Sequence, residues 1–278
     1  MYEDITLVIE DPVATITLNR PKQLNAWTDR MGKEVRHALA TAESDPRVVG
    51  IVVTGAGSAF CAGRDMNDAS AIASGAAPVS PNSELERVTL GDQNMPRGFQ
   101  LSYAYFASVK KPVIAAINGA VAGMALPIVA FCDVRFGSPQ AMFKTAFPER
   151  GLIAEWGLSW ILPRLVGVGH AMDIVMSSRK VDAVEAERIG LLNRRIEGQD
   201  VAEYARDYVR TMARQCSPQS LAVMKRQIYE DLERGLEGAM DNAYPLMKAS
   251  SKGPDFREGV RSFMERRQPS FQRIGANG

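Results

Sequence analysis

The chain contains few cysteines and few histidines, and both shortages exclude classes of chemistry. Its three cysteines, Cys61, Cys132 and Cys216, are odd in number and far apart among 278 residues, which predicts reduced thiols rather than a disulfide framework or a zinc site. His37 lies off the apolar face of its predicted helix and is expected to be solvated. Neither it nor His170 has a nucleophile placed beside it, so a Ser/His/Asp or Cys/His mechanism has little support. We expect no metal centre and no prosthetic group.

Charge of one sign and a continuous apolar span are also lacking. Lysine and arginine total 33 against 32 aspartate and glutamate, without a polybasic block, so nucleic acid is not an expected partner. The uncharged stretch 112–132 is interrupted by Asn118, two glycines and Pro127, which disfavours a membrane span. The first residues have no basic region followed by an apolar core. These features predict a soluble, cytoplasmic protein.

The stretch from Lys111 to Asp133 is the centre of the sequence. Val113 to Ile117 has the length and apolarity of a buried strand, and Asn118-Gly119 ends it. From Gly123 onward the apolar residues predict a helix that is buried on all sides. The first amides of a helix lack an internal partner, so this turn could hold a carbonyl oxygen that is gaining negative charge. A buried strand and core helix without chemistry is the alternative.

An earlier stretch repeats this pattern. Val48 to Thr54 is strongly β-prone and is followed by a glycine turn, small residues and a second expected helix start near Met66. Two such units could present two backbone amides to a single oxygen. The best-placed donors are the amides of Arg64 and Met124.

The remaining elements follow from periodicity and capping signals. Alternating residues predict a hairpin, and Ala69 to Arg97 is expected to be a mobile loop with a short helix. Further helices are predicted by 3.6-residue periodicity and caps. The expected strands are Ile5 to Glu10 and Val13 to Leu18. One helix is expected to begin at about Thr28. The other expected helices span Leu101 to Val109, Asp182 to Arg188, Asp200 to Gln215, Pro218 to Arg234, Leu236 to Ser250 and Asp255 to Arg267.

Several spaced motifs carry a family resemblance across nearly the whole chain. They are Asn19-Arg20-Pro21 with Asn25-Ala26, Thr54-Gly55 with Ala59 to Asp65, Lys111 to Gly119, Leu162 to Gly167, Ala186 to Leu191 and Phe263 to Phe271. In this order the motifs resemble the enoyl-CoA hydratase/isomerase (crotonase) superfamily. The resemblance implies an α/β fold: a crotonase-like spiral of ββα turns with the acyl-CoA site over residues 1–195, then a C-terminal α-helical trimerisation region over 196–278. A homotrimer or hexamer is implied.

The resemblance also implies a coenzyme A thioester as substrate, with coenzyme A present only as part of that substrate. Its carbonyl would be held by the amides that map to Arg64 and Met124, although the family usually has glycine at the second position. The coenzyme A portion would be bound by residues of this subunit and closed over by the tail of a neighbour. The residues of this subunit are Lys22, Ala26, Ala62, Asp65, Met66 and Gly123, and the tail residues are Phe263 and Arg266.

The catalytic carboxylates depart from the hydratase pattern. Where the family's hydratases carry two glutamates, this sequence has Pro127 and Phe147. Glu149 is two places too late and is expected to be a surface residue. Glu155 instead matches the single acid of the family's Δ3,Δ2-enoyl-CoA isomerases. Its apolar sequence neighbours predict partial burial and a raised pKa.

The favoured reaction is therefore double-bond isomerisation, Δ3 to Δ2 enoyl-CoA, with the two amides stabilising a thioester enolate and Glu155 as acid and base. Three alternatives stay open. They are an enoyl-CoA hydratase (lyase) that uses Glu155 alone, an acyl-CoA hydrolase or dehalogenase with nucleophilic Glu155, and an inactive acyl-CoA-binding or assembly subunit. The missing glutamates favour the last, whereas Glu155 and the two glycine turns oppose it.

Overall fold

The structure is a computed structural model that describes residues 2–74, 85 and 88–275. It begins with the expected hairpin. Ile5–Glu10 (β1) and Val13–Leu18 (β2) pair antiparallel, so that Glu10 faces Val13 across the turn. The predicted hairpin is therefore confirmed. β2 also pairs in parallel with the next strand of a larger sheet.

Three strand pairs then repeat one arrangement, in which the first strand joins a six-stranded sheet and the second joins a four-stranded sheet. Neighbouring units pair in parallel within each sheet. The pairs are Gly50–Gly55 (β3) with Ala59–Cys61 (β4), Val113–Ile117 (β5) with Ala120–Ala122 (β6), and Val134–Gly137 (β7) with Met142–Lys144 (β8). Val181–Asp182 (β9) is the last strand of the four-stranded sheet, and Arg194–Arg195 (β10) is the last strand of the six-stranded sheet. The predicted spiral of ββα turns is confirmed.

Helices connect these strands and form the C-terminal part of the chain. In the part of the chain that the structure describes, no helix is both long and apolar enough to cross a bilayer. The helices are Asp29–Ser44 (α1), Met66–Ala73 (α2), Tyr105–Ser108 (α3), Ala125–Ala130 (α4), Leu158–Ser177 (α5), Ala183–Arg188 (α6), Val201–Gln215 (α7), Pro218–Asp231 (α8), Leu236–Lys252 (α9) and Pro254–Met264 (α10).

The helix predicted over Leu101 to Val109 is wrong for its first half. A 3₁₀ turn at Arg97–Gln100 precedes it, and only Tyr105–Ser108 is helical. Tyr103 has a φ of +64°, a left-handed conformation that an α-helix cannot contain. The loop predicted from Ala69 contains the end of α2, and its stretches 75–84 and 86–87 lie outside the described residues.

The six-stranded sheet is covered on both faces. One face packs on the main core, which includes α1 and α4. The other face packs on α7 through Ala205 and Val209 against Val52 and Ile114. The boundary between residues 195 and 196 stays a prediction.

An ion pair beneath the sheet attaches α8 to the core. Lys225 Nζ lies 2.8 Å from Asp133 Oδ2 and also donates to the carbonyl oxygens of Phe106 and Lys111. The Tyr229 hydroxyl donates to Asp133 Oδ1 at 3.1 Å. Because the buried charges are paired and hydrogen-bonded, they hold α8 in one register without an unpaired charge in the core.

Thr28, the residue directly before α1, gives a stability prediction. The Thr28 side chain accepts a hydrogen bond from Met31 N–H at 3.0 Å, which caps the helix. We expect Thr28→Ala to lower the free energy of unfolding by about 1 kcal/mol, whereas Thr28→Ser should stay close to the wild type. Urea denaturation of the three proteins at one protein concentration measures this. An equal loss in both variants would contradict a capping role.

Candidate active site

Two glycine turns meet where β4 and β6 end. These strands are parallel neighbours, with Cys61 opposite Val121. Gly63 has a φ of +100°, and a Cβ atom there would lie 2.9 Å from the Ala122 carbonyl oxygen. Gly123 has a φ of +52°, and a Cβ atom there would lie 4.0 Å from Gly63 Cα. The two turns are thus in close contact, and a side chain at Gly63 would separate them.

Trp27 fixes the direction of the Arg64 amide. Trp27 N–H donates to the Gly63 carbonyl at 2.7 Å, and Asp65 N–H donates to the Trp27 carbonyl at 2.9 Å. In such a parallel bridge the groups of the middle residue point away from the partner strand. Within the described residues no acceptor is found for the N–H of Arg64 or of Met124. Both amides therefore remain available to a carbonyl oxygen.

The Met124 side chain packs inside the protein. It is buried in the main core, and the residue stands directly before α4. The preceding residue, Gly123, donates its N–H to the Lys144 carbonyl at 3.0 Å, which ties this turn to β8. With its side chain turned into the core, Met124 can offer its main chain to a ligand.

The Arg64 side chain forms an ion pair with Asp29. Its Nη2 lies 2.8 Å from Asp29 Oδ1 on the first turn of α1. Its Nε is buried without a partner in the described part of the chain. The ion pair holds the guanidinium beside α1, while the hydrogen bonds to Trp27 hold the main chain on both sides of Arg64.

The residues predicted to bind coenzyme A in this subunit lie around the same turn. Ala62 N–H donates to the Leu24 carbonyl at 3.0 Å, and Arg20 Nη2 lies 3.0 Å from Asp65 Oδ2. Burial raises the pKa of Asp65, but the Asn67 amide and the Arg20 guanidinium outweigh it and hold that pKa below its usual value. This part of the set is brought together by the loop that runs through residues 20–27 and the turn after β4. Of its members, Lys22 and Met66 are exposed, Ala26 and Ala62 are half-buried, and Asp65 is buried.

Phe263 and Arg266 stand at the end of α10, where Arg266 N–H donates to the Phe263 carbonyl at 3.2 Å. Phe263 is 82% exposed. The chain alone therefore presents this ring to the outside, as a tail that covers another subunit would require. Their predicted role stays a prediction.

Glu155 lies in the loop between β8 and α5 and is half-buried. Its carbonyl accepts from Leu158 N–H at 3.0 Å, at the start of α5. No hydrogen bond or ion pair of its carboxylate is found within the described residues. The predicted partial burial is confirmed, and Ala154 and Trp160 on either side pack against the main core, although Ile153 is 78% and Trp156 43% exposed.

The positions of the two hydratase glutamates are closed to solvent. Pro127 is buried in α4, and Phe147 belongs to the main core. Glu149 is exposed as predicted and pairs with Lys144 at 2.7 Å. Of these four sequence positions, Glu155 supplies a carboxylate without a partner among the described residues.

The solvated state expected of His37 is wrong. The residue is half-buried, and its Nδ1 lies 2.7 Å from the Tyr2 hydroxyl. The N-terminal segment folds back over α1, which periodicity within the helix could not reveal. The described residues contain no group of three or more histidine, cysteine, aspartate and glutamate side chains placed to hold a metal ion.

Tyr103 is a site feature that the sequence did not indicate. Its ring lies edge-on to Trp27, with centroids 5.7 Å apart, and edge-on to Trp156, with centroids 5.3 Å apart. It thereby connects the segment beside Arg64 to the loop that carries Glu155. The sequence around Tyr103 has the apolar pattern of a helix, and nothing in it signals a tyrosine with a left-handed backbone conformation.

Comparisons with known proteins cover nearly the whole chain. The family model described as "Enoyl-CoA hydratase/isomerase" matches residues 8–274. The Escherichia coli (strain K12) protein named "1,2-epoxyphenylacetyl-CoA isomerase" is 31% identical over 98% of this chain and 99% of its own. A Rhodobacter capsulatus protein named "Probable enoyl-CoA hydratase" is 34% identical over 97% and 98%.

Among solved structures, a probable enoyl-CoA hydratase/isomerase from Mycobacterium abscessus superposes with a TM-score of 0.83 at 25% identity, covering 99% of this chain and all of that one. The match extends from the first hairpin through the C-terminal helices. The predicted crotonase-like fold is thereby confirmed. The chain belongs to the enoyl-CoA hydratase/isomerase family and is an enzyme of the crotonase superfamily, whose members use coenzyme A thioesters.

Proposed function

We propose that this enzyme moves the double bond of an enoyl-CoA thioester from Δ3 to Δ2, with Glu155 as both base and acid. The observation that carries the proposal is the burial of Pro127 and Phe147 where the family's hydratases carry glutamates. Water addition normally uses one group to orient the water and another to relay its proton. A double-bond shift needs one carboxylate that first accepts and then returns a proton.

In the proposed mechanism the two glycine turns stabilise negative charge, and the loop that carries Glu155 supplies the group that transfers the proton. The amides of Arg64 and Met124 bind the thioester oxygen and stabilise the negative charge that develops there. Glu155 takes a proton from C2, the electrons of that C–H bond form the C1–C2 double bond of a dienolate, and the carbonyl electrons move onto the oxygen. The carboxyl then returns the proton to C4 through the C3–C4 electrons, as the thioester carbonyl re-forms and the C2–C3 double bond appears. The contact between the two turns supports this assignment of the donors.

The coenzyme A portion would lie along the turn after β4, beside Lys22, Ala26, Ala62, Asp65 and Met66, next to Gly123. The exposed Lys22 ammonium suits the phosphates of coenzyme A, because it can donate charge-assisted hydrogen bonds to their oxygens. Phe263 and Arg266 of a neighbouring subunit would cover this portion. Coenzyme A enters and leaves as part of the substrate.

Hydration is the second candidate, since several relatives are named enoyl-CoA hydratases. In that reaction Glu155 alone would activate the water and protonate C2. A panel of 2-enoyl-, 3-enoyl- and aryl-CoA thioesters separates the two reactions. We expect conversion of the 3-enoyl substrate to its 2-enoyl isomer without water uptake. Rapid hydration of the 2-enoyl substrate together with an unreacted 3-enoyl substrate would leave hydration as the function.

We further propose a homotrimer or a dimer of trimers in a reducing, cytoplasmic setting. Helix α9 buries none of its residues within the chain, although Leu236, Met240, Tyr244 and Met247 lie along it. An apolar surface of this kind on a single chain marks an interaction site.

The assembly prediction is a trimer or hexamer mass by light scattering at micromolar concentration. Truncation before Asp255 should reduce both assembly and coenzyme A thioester affinity, because it removes α10 and the tail. A stable wild-type monomer would rule the assembly out. A truncated monomer that keeps full affinity would show that the tail does not contribute to the coenzyme A site.

A further inference from the structure

Tyr103 contacts residues of both halves of the proposed site. One edge-on contact joins its ring to Trp27 at an interplanar angle of 81°, and another joins it to Trp156 at 87°. Such edge-to-face pairs are attractive because the positive edge of one ring meets the negative face of the other. Trp27 holds the main chain on both sides of Arg64, and Trp156 adjoins Glu155. A single ring therefore links the segment that holds the Arg64 amide to the segment that carries Glu155.

The backbone at Tyr103 supports a functional reason for this contact. Its φ of +64° is uncommon for any residue other than glycine and is a marked outlier for a bulky one. Such a conformation persists only where the surroundings hold it, and it concentrates at functional sites. Here the surroundings are the two tryptophans and Tyr105, whose ring centroid lies 6.4 Å away.

The ring of Tyr103 makes these two edge-on contacts, and its hydroxyl also accepts a hydrogen bond from the Trp27 side chain, whose indole N–H can only donate. In the described part of the chain no carbonyl or carboxylate accepts a hydrogen bond from that hydroxyl. Burial raises the pKa of Tyr103 to about 12, although Arg64 and Trp27 oppose the rise. The side chain is therefore neutral over the physiological pH range. A phenylalanine could make the same two ring contacts.

We propose that Tyr103 is a positioning residue, which acts through Trp156 to hold the loop that carries Glu155 in place relative to the Arg64 amide. The inference rests on the proposed function, because it assumes that the carboxylate and the amide act on one thioester. The function of the ring is geometric: it sets where the carboxylate lies when the carbonyl is bound. Removal of the ring should disturb alignment more than binding.

Tyr103→Ala tests this with Tyr103→Phe as the conservative variant. We expect the alanine variant to lower kcat by about 10- to 100-fold, since a misplacement of roughly 1 Å can cost about 10²-fold, while KM changes little. The phenylalanine variant should retain most of kcat. In heavy water the alanine variant should also incorporate more solvent deuterium at the receiving carbon, because a displaced carboxyl exchanges with water.

Tyr208 provides a matched control. Its ring lies edge-on to Phe136, with centroids 5.2 Å apart at 79°, and it belongs to α7 on the other side of the six-stranded sheet. Tyr208→Ala removes a comparable ring contact away from the turns and should leave kcat unchanged. An equal loss of kcat in both alanine variants would mean that general loosening of the fold, rather than positioning, explains the effect.

A double variant separates action through Trp156 from independent action. If the ring works through Trp156, then Trp156→Ala alone should lower kcat to a similar degree, and the double variant should be no worse than the worse single one. Additive losses would overturn the inference. So would a Tyr103→Ala enzyme within twofold of the wild-type kcat, or a phenylalanine variant as damaged as the alanine one.

A variant at Trp156 replaces a Tyr103→Ala protein that does not fold, and Glu155→Gln separates failure of the proposed function from failure of the Tyr103 role. If Tyr103→Ala does not fold, Trp156→Ala compared with Trp156→Phe carries the same test, because Trp156 is exposed enough to replace without opening the core. If Glu155→Gln is fully active, the proposed function has failed. If Glu155→Gln is inactive while both ring deletions are harmless, only the role of Tyr103 has failed.

Discussion

Glu155→Gln should lower the rate on a 3-enoyl-CoA by about 10²- to 10⁴-fold, which is the usual contribution of a positioned acid or base. Glutamine keeps the shape and polarity of the side chain but cannot accept the proton from C2. Thioester binding should change little, so the loss should appear in kcat rather than in KM. Steady-state kinetics on the 3-enoyl substrate measures both constants.

The matched control is Glu149→Gln, a few residues earlier in the same segment. Glu149 is exposed and paired with Lys144, so its replacement should leave kcat within about twofold, as expected for a surface ion pair. A Glu155→Gln enzyme at the wild-type rate would remove this carboxylate from the mechanism. A loss of equal size in both variants would point to damage to the segment instead.

Heavy water adds a second measurement on the wild-type enzyme. If one carboxyl carries the proton from C2 to C4, the product should contain less solvent deuterium at C4 than complete exchange would give. Mass spectrometry of the product after a single turnover measures this fraction. Complete incorporation would indicate that water, rather than a shielded Glu155, delivers the proton.

Met124→Pro should lower kcat by roughly 10²- to 10³-fold, because proline removes one of the two proposed N–H donors from the carbonyl site. Met124 stands immediately before α4, a position at which a proline ring is compatible with helix geometry. Met124→Ala keeps the amide and should retain most of kcat, although it leaves a cavity in the core that lowers stability.

The pair of variants at position 124 separates the main chain from the side chain. Circular dichroism and light scattering establish that both variants fold and assemble before their rates are compared. An alanine variant as inactive as the proline variant would refute the main-chain role. A proline variant that folds normally and keeps the wild-type rate would show that this amide does not bind the reacting oxygen.

The positions of most strands, turns and helices were predictable because the signals that set them are local. Val113 to Ile117 and the cap at Asp182 follow from apolarity and from side-chain chemistry within a few residues. The strand β6 was not predicted, since three small residues between two glycines carry no strand signal of their own. Pairing with β4 and β8 makes that segment a strand.

The exposure of the residues around Glu155 and the backbone conformation of Tyr103 could not be predicted, and the reason is different. Exposure of Ile153 and Trp156 depends on where the loop lies relative to the core, and apolar composition alone does not decide that. The left-handed Tyr103 depends on two tryptophans that are distant in sequence. Properties that arise from contacts between distant segments appear only in the folded chain.

The contact between the glycine turns bears on how such an enzyme can change in evolution. In the proposed mechanism the main chain of two repeating units holds the carbonyl, so a methionine or a glycine could stand at position 124 without altering the chemistry of the donor. Glu155, the proposed acid and base, lies on a separate loop outside both sheets. Under this proposal, substitutions on that loop would redirect the proton, and with it the reaction, while the part of the protein that stabilises the enolate is inherited unchanged.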